Sequence, residues 1–265
     1  MLGKLVKHDL RATARVMLPY LGAMLVLGVL TRFAFPILDK VSGGLPRFLL
    51  GLIIGLFFTV LGVSGLRVFI LSIERFHRNL LGQEGYLMLT LPATRSQHIL
   101  AKLLTSLVWY AAAAVCSPIS ACLAFLDNRY ILQFIRFLPS FAEIREVLAG
   151  HGADVAYFLG IAAEGLVVSV LALAVFTVMV YAADALGSAF RKHKTLLAFV
   201  FAFVFLYLTF WAAFFVITRT PSLFADITGP AILALGGIGI VCEMVVGAVF
   251  FFLAAYLLKN KLNLE

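Results

Sequence analysis

The chain has 265 residues, of which 63% are apolar and only 13% charged, with a formal net charge of +8 and a mean hydropathy of +1.07. A soluble domain of this length has too little interior to hide so much apolar surface, so the composition excludes one and points to an integral membrane protein. The basic excess does not indicate a nucleic-acid partner, because the charges stand between apolar spans, where the positive-inside rule places them.

Residues 1–15, MLGKLVKHDLRATAR, put Leu2, Val6, Leu10 and Ala14 on one helical stripe. Lys4, Lys7, His8, Arg11 and Arg15 fall on the other side. This pattern predicts a basic amphipathic helix lying along an anionic leaflet of membrane lipid before the chain turns into its first span. The other reading is a charge cluster that only sets orientation. No small-x-small cleavage site follows the apolar run, so the segment reads as retained.

A spanning helix needs roughly 20 mainly apolar residues. Six stretches qualify, at about 16–36, 48–73, 97–126, 157–182, 195–217 and 231–258. The expected fold is therefore all-α, one polytopic membrane domain over residues 1–265 with six transmembrane helices. Gly51 and Gly55 form a small-x-x-x-small pair that permits close packing in the second span. Thr94 with Gln97 is a capping box opening the third. The longest connection, 127–156, contains Ser140 and Glu143 as a further capping box, which predicts a short helix at about 141–149. The apolar Tyr130, Ile131, Phe134, Ile135, Phe137 and Leu138 precede it, as a surface resting on the membrane. Gly229-Pro230 places proline where the sixth span begins. The cluster Gly236-Gly237-Ile238-Gly239 within that span predicts close helix packing. Cys116, Cys122 and Cys242 all fall in apolar spans and read as small packing residues, with no disulfide framework.

Orientation follows from the connections. One side carries Lys4, Lys7, Arg11 and Arg15, then Arg75, Arg78, Arg95 and Lys102, then Arg191, Lys192 and Lys194, and finally Lys259 and Lys261. The other carries Arg32, Lys40, Arg47, Arg129, Arg136, Arg145 and Arg219, offset by Asp39, Asp127, Glu143, Glu146, Asp154 and Asp226. Both termini are expected in the cytoplasm.

Three charges fall inside spans: Glu243 near the middle of the sixth, Glu164 in the outer part of the fourth and Arg67 in the inner part of the second. A charge at the bilayer centre costs roughly 2.5–3.5 kcal/mol on insertion scales, so each is expected to face protein or water. Each either lines a pathway or forms a structural contact, a neutral carboxyl included. No phosphate-binding G-x-x-x-x-G-K-[ST], no H-E-x-x-H, no Cys/His set at metal spacing and no G-x-S-x-G occurs. His8, His77, His98, His151 and His193 all sit in connections or at span ends. Neither catalysis nor a cofactor or metal is expected in this chain.

The stretch GQEGYLMLTLPATRSQ, residues 82–97, is too short to span and too apolar for a solvated loop. Gly82 and Gly85 permit sharp turns, while Tyr86, Leu87, Met88 and Leu89 form an apolar knob that Pro92 ends. Such a knob suits docking into a partner's groove, or equally a helix resting on headgroups. Together, MLGKLVKHDLRATARVMLPYLGAMLVLGVLTR and ERFHRNLLGQEGYLMLTLPATRSQHILAKLL resemble the permease subunits of bacterial ABC-type exporters of the type-2 class, and more narrowly a branch common in Gram-positive anaerobes. The likeness covers most of the chain, and Glu84 to Met88 with Thr90 to Pro92 is its most specific part. The resemblance implies that the 2–3 connection is a coupling helix, seated through Gly82, Glu84, Gly85, Tyr86, Leu87, Met88, Leu89 and Pro92 on a separate ABC-type ATPase subunit that binds the ATP and Mg²⁺. It further implies two permease chains, identical or not, in a bacterial plasma membrane, exporting peptides, lipids or drugs by alternating access. One departure is the short last outer connection, about 218–230, where some members carry a re-entrant element. The rival reading is a stand-alone membrane scaffold or an ion-coupled carrier. Carriers pair broken spans in matching halves with several midplane polar groups, whereas this sequence places only Glu243 at that depth. A neighbouring ATPase gene, if found, would favour the exporter over the scaffold.

Overall fold

The structure, a computed structural model, describes residues 2–38, 40–41, 43–82, 93–125, 152–190, 192–219 and 229–260. The expected helix at 141–149 and the apolar surface before it lie outside these. The described elements are helices: α1 (Leu2–Leu38), α2 (Gly44–Gly62), α3 (Ser64–Phe76), a π-helical turn (His77–Leu81), α4 (Arg95–Phe125), α5 (Gly152–Ser188), α6 (Lys194–Arg219) and α7 (Gly229–Asn260). Among the described residues there is no strand. Six of the helices are long and apolar enough to cross a membrane, so the chain is an all-α, multi-pass integral membrane protein.

Two helix boundaries match their capping signals. The Thr94 N–H donates to Gln97 Oε1 at 3.1 Å, and the Gln97 N–H donates to Thr94 Oγ1 at 3.3 Å, the reciprocal pair that a capping box makes before α4. Helix α7 opens at Gly229 with Pro230 in its first turn. Between α5 and α6, His193 adopts a left-handed φ of 57°, a conformation in which His is enriched among non-glycine residues.

The first and second spans depart from expectation. Residues 2–15 are helical, and Lys4, Lys7, Arg11 and Arg15 are exposed, but no turn separates them from the first span. Helix α1 runs on for 37 residues, about 55 Å at 1.5 Å per residue. The sequence around 10–18 offers no glycine or helix stop, and Pro19 is carried inside the helix, as transmembrane helices tolerate. The second span, expected as one helix over 48–73, is interrupted at Val63 (φ −89°, ψ 0°). The local sequence Gly62-Val63-Ser64-Gly65 explains this, because Gly and Ser pairs are where helices bend.

The contacts divide the chain into two compact units, described separately: Met1–Leu5, Ser72–Leu107 and Glu146–Glu265 in the larger, and Val6–Leu71 with Val108–Arg145 in the smaller. In the smaller unit, Met17, Leu21, Met24, Val68, Leu71, Trp109 and Ala113 form the core. Polar contacts stitch it. Trp109 Nε1 donates to Thr13 Oγ1 at 2.8 Å, and Ser120 Oγ donates to the Met24 carbonyl at 2.7 Å. Near the interruption, the Tyr20 hydroxyl donates to the Val60 carbonyl at 2.7 Å, which satisfies a backbone group with a side chain from α1. Gly28 is packed so closely that a Cβ there would lie 2.7 Å from the Ser120 carbonyl oxygen.

In the larger unit, α5 and α7 lie side by side. Gly160 faces Leu233, Glu164 faces Gly236 and Val175 faces Gly247, in the same order along both helices. The two are therefore parallel, and α6, which joins them in the chain, packs against α5. Their far ends close a core of Val178, Met179, Tyr181, Ala182 and Ala185 against Phe250, Ala254, Leu257 and Leu258, together with Phe76, Leu80, Leu81 and Ile99.

Two packing expectations are revised. A Cβ at Gly51 or Gly55 would meet nothing within 4 Å, so among the described residues this pair makes no close approach. Their helix presents Leu45, Phe48, Leu49, Leu52 and Leu56 outward, as a lipid-facing span does. Cys122 and Cys242 are exposed rather than packed, and only Cys116 is half-buried.

Candidate functional site: the root of the 2–3 connection

Helix α3 buries Val68, Leu71 and Phe76, and then widens into the π-helical turn His77–Leu81. The turn is closed by the Gly82 N–H donating to the His77 carbonyl, five residues back, at 2.8 Å. Single π turns inside α-helices are rare and concentrate at functional sites. Gly82 itself is extended, with φ −89°, a backbone any residue adopts. What it supplies is room, since a Cβ there would lie 2.8 Å from the Arg78 carbonyl oxygen.

Three contacts tie the end of α3 and this turn to α5. The Phe76 ring stacks on the Tyr181 ring, with centroids 4.1 Å apart and planes 5° from parallel. The Tyr181 hydroxyl and the Ser72 hydroxyl are hydrogen-bonded to each other. The His77 ring donates through Nδ1 to Asp184, at 3.0 Å from Oδ1 and 3.1 Å from Oδ2. Tyr181 is fully buried, so its ring and hydroxyl are held from both ends. The Asp184 side chain is 10% exposed and the His77 ring 45% exposed. That bond to Asp184 raises the His77 pKa above the usual 6.5, with the carboxylate's charge adding to it; partial burial of the ring and the nearby Lys194 ammonium act the other way.

Beyond Gly82, the residues expected to form the docking segment, Glu84, Gly85, Tyr86, Leu87, Met88, Leu89 and Pro92, lie outside the described residues. The chain resumes at the Thr94 capping box, from which α4 carries the buried Ile99 into the same core as Phe76 and Leu80. Both ends of the segment are therefore rooted in one unit.

The charges inside spans have separate settings. Glu164 is half-buried, and its carboxyl occupies the space over Gly236, where a Cβ would lie 2.3 Å from the carboxyl carbon. The glycine cluster thus does make one close approach, to a carboxylate rather than to a neighbouring backbone. Glu243 stands seven positions further along α7, about 10 Å deeper at 1.5 Å per residue. Its Oε2 is buried without a hydrogen-bond partner among the described residues. Arg67 belongs to the smaller unit and is half-buried in the first turn of α3.

Sequence reasoning missed the clamp. In the sequence His77 reads as one of five histidines in connections or at span ends, and Asp184, Tyr181 and Ser72 carry no local motif. His77 and Asp184 stand 107 positions apart, so no local spacing links them. The available signal was an acid, Asp184, in the otherwise uncharged run of α5 beyond Glu164. Comparison with family models, with curated proteins and with solved structures finds no match to this chain.

Proposed function

We propose that the chain is the transmembrane permease subunit of a bacterial ATP-driven exporter, forming the substrate pathway with a second permease chain and docking through residues 82–92 on a separate ABC-type ATPase. In this reading both termini are cytoplasmic and the protein lies in the plasma membrane. The observation that supports it best is the rooted 2–3 connection. A segment that transmits force must not fold away from the helices it moves, and here one end is clamped to α5 through Tyr181 and Asp184 while the other enters a capped helix. An apolar knob held between two such roots has the properties of a docking element. Closure of the ATPase pair would then move spans two, three and four as packed elements.

One observation favours the rival ion-coupled carrier. The second span, expected as one helix, is interrupted at Val63, and α5 and α7 carry the carboxyls Glu164 and Glu243. Carriers use broken helices together with intramembrane polar groups. Purification of the tagged chain from its native host in mild detergent separates the two. Recovery of an ABC ATPase, lost in the Tyr86→Asp, Leu87→Asp double variant at unchanged expression, is the expected result. A folded, monodisperse chain that brings no ATPase refutes the exporter reading.

A further inference from the structure

Between Asp226 and Lys259 the only charged residue in the sequence is Glu243, and it falls within the span Leu235–Lys259. Its direction follows from its neighbours on α7. Gly236 meets Glu164 of α5, and Gly247 meets Val175 of the same helix. Glu243 stands seven positions after the first glycine and four before the second, which puts all three on one stripe of α7. The carboxyl therefore rises from the face of α7 that packs on α5, between two points of contact.

That stretch of the seam offers nothing to an ionised group. Between Glu164 and Tyr181, α5 has no titratable residue. The two hydroxyls in the run, Ser169 and Thr177, donate to the carbonyls of Gly165 and Leu173, each at 2.7 Å. Glu164 lies level with Gly236, about 10 Å away along α7, and Tyr181 and Asp184 lie beyond the Val175–Gly247 contact, toward the far end of α5. Helix α6 meets α7 where the Phe205 and Phe250 ring centroids are 5.1 Å apart. Between Lys194 and Arg219 at its two ends, its one titratable residue is Tyr207, which is exposed. On α7 itself Cys242 and Tyr256 are exposed too. Glu243 Oε2 is nonetheless buried, with no hydrogen-bond partner among the described residues. Taking an ionised carboxylate out of water without a partner costs far more than leaving its proton on, so the closed seam holds Glu243 as the neutral acid. Both flanking contacts are made by glycines on the α7 side, which leave no side chain to interlock with α5. Water that reaches the carboxyl between them restores the hydration that an ionised group needs.

We propose that Glu243 is a proton-binding site on the α5–α7 seam, which holds its proton while the seam is closed and releases it when water enters. Proton binding and the packing of these two helices are then linked equilibria, and proton uptake favours the closed seam. The proposal holds on the exporter and the carrier reading alike.

The test is covalent labelling of the full chain, in a neutral detergent, with dicyclohexylcarbodiimide, an apolar reagent that modifies protonated carboxyls. The carboxyl O–H adds across one C=N bond of the reagent: the oxygen bonds to the central carbon, the proton goes to a nitrogen and no group leaves. Peptide mass spectrometry then locates the adduct. The expected result is label on Glu243 at pH 6 that falls by about tenfold or more at pH 9, as the site gives up its proton. A water-soluble carbodiimide should leave Glu243 unmodified at both pH values. Glu164→Gln should keep the label on Glu243, and Glu243→Gln should remove it. The site-resolved measurement on the parent decides the matter if either variant does not fold. Absence of label on Glu243 at pH 6 overturns the proposal, as does equal label at pH 6 and pH 9, the mark of an acid that never releases its proton. Label from the water-soluble reagent overturns it too, since the carboxyl would then stand in water rather than in the seam.

Discussion

Asp184→Asn removes the charge that holds His77 and leaves the side chain's size nearly unchanged. A hydrogen bond to a charged group contributes about 1.5–3 kcal/mol when desolvated. The His77 ring is 45% exposed, so solvent screening brings the expected loss down to about 1 kcal/mol. The loss depends on pH with a definite sign. The folded His77 pKa lies above the unfolded 6.5 because Asp184 holds the proton on the ring. The pair's stabilisation is therefore complete below about pH 6.5 and fades as pH rises through the folded pKa. Lys194 opposes protonation from the start of α6, and Lys194→Met should move the fade to higher pH. Thermal unfolding of parent and variant in detergent at pH 5.5 and pH 9 reads the effect. A difference of roughly 2–4 °C at the acid end, shrinking at the alkaline end, is expected. Equal destabilisation at both pH values, or a His77 titration midpoint at or below 6.5 by NMR, refutes the reasoning.

Tyr181→Ala should destabilise the larger unit by about 3–5 kcal/mol, the range for deleting a large buried ring; Tyr181→Phe should cost about 1 kcal/mol, the loss of one hydrogen bond with Ser72. Unfolding midpoints of the two variants check the ratio. Gly236→Ala pushes a methyl into the Glu164 carboxyl and should cost about 1–3 kcal/mol. Glu164→Ala in the same chain should recover most of it, since the obstructing group is a side chain, and a double-mutant cycle measures this. Gly187→Ala should be worse and not rescued by side-chain changes, because its Cβ would lie 2.6 Å from the Ala198 backbone nitrogen and 2.7 Å from the Lys194 carbonyl oxygen; failure to purify as a monodisperse species is the expected readout.

The helices were legible because they depend on run length and local signals. Apolar stretches set where α4 to α7 cross, and the Thr94–Gln97 pair and Gly229-Pro230 set two of their starts. The interruption at Val63 had a signal too, in Gly62-Val63-Ser64-Gly65, but hydropathy averages over a window and is blind to a one-residue break. The continuity of α1 was hidden for the opposite reason. A change from basic to apolar composition looks like a boundary, while backbone geometry at residues 10–18 has no cause to bend. The line of α1 that faces inward runs through Asp9 and Thr13, both polar, so a search for an apolar stripe chose its half-buried neighbours Val6, Leu10 and Ala14. The clamp was illegible because its parts come from helices far apart in sequence. Nothing local distinguishes a histidine that meets an aspartate from one that meets water.

Helix α5 joins these observations within the larger unit. It packs against α6, against α7 and against the π-helical turn. Its Tyr181 and Asp184 hold the root of the 2–3 connection, and its Glu164 and Val175 set the register against α7. The two sets of contacts differ in kind. At Tyr181 the interface is a buried ring stack with a hydrogen bond, which tolerates little sliding. At Glu164 and Gly236 it is a carboxyl lying on a bare backbone, with no side chain on the facing residue to lock it. A displacement of the π-helical turn, were the exporter reading right, would be carried by α5 and released where its packing against α7 is least interlocked. On the exporter reading the yielding contact then contains one intramembrane carboxyl, Glu164, with the other, Glu243, about 10 Å further along α7, both of them groups that the membrane would otherwise have little reason to accommodate.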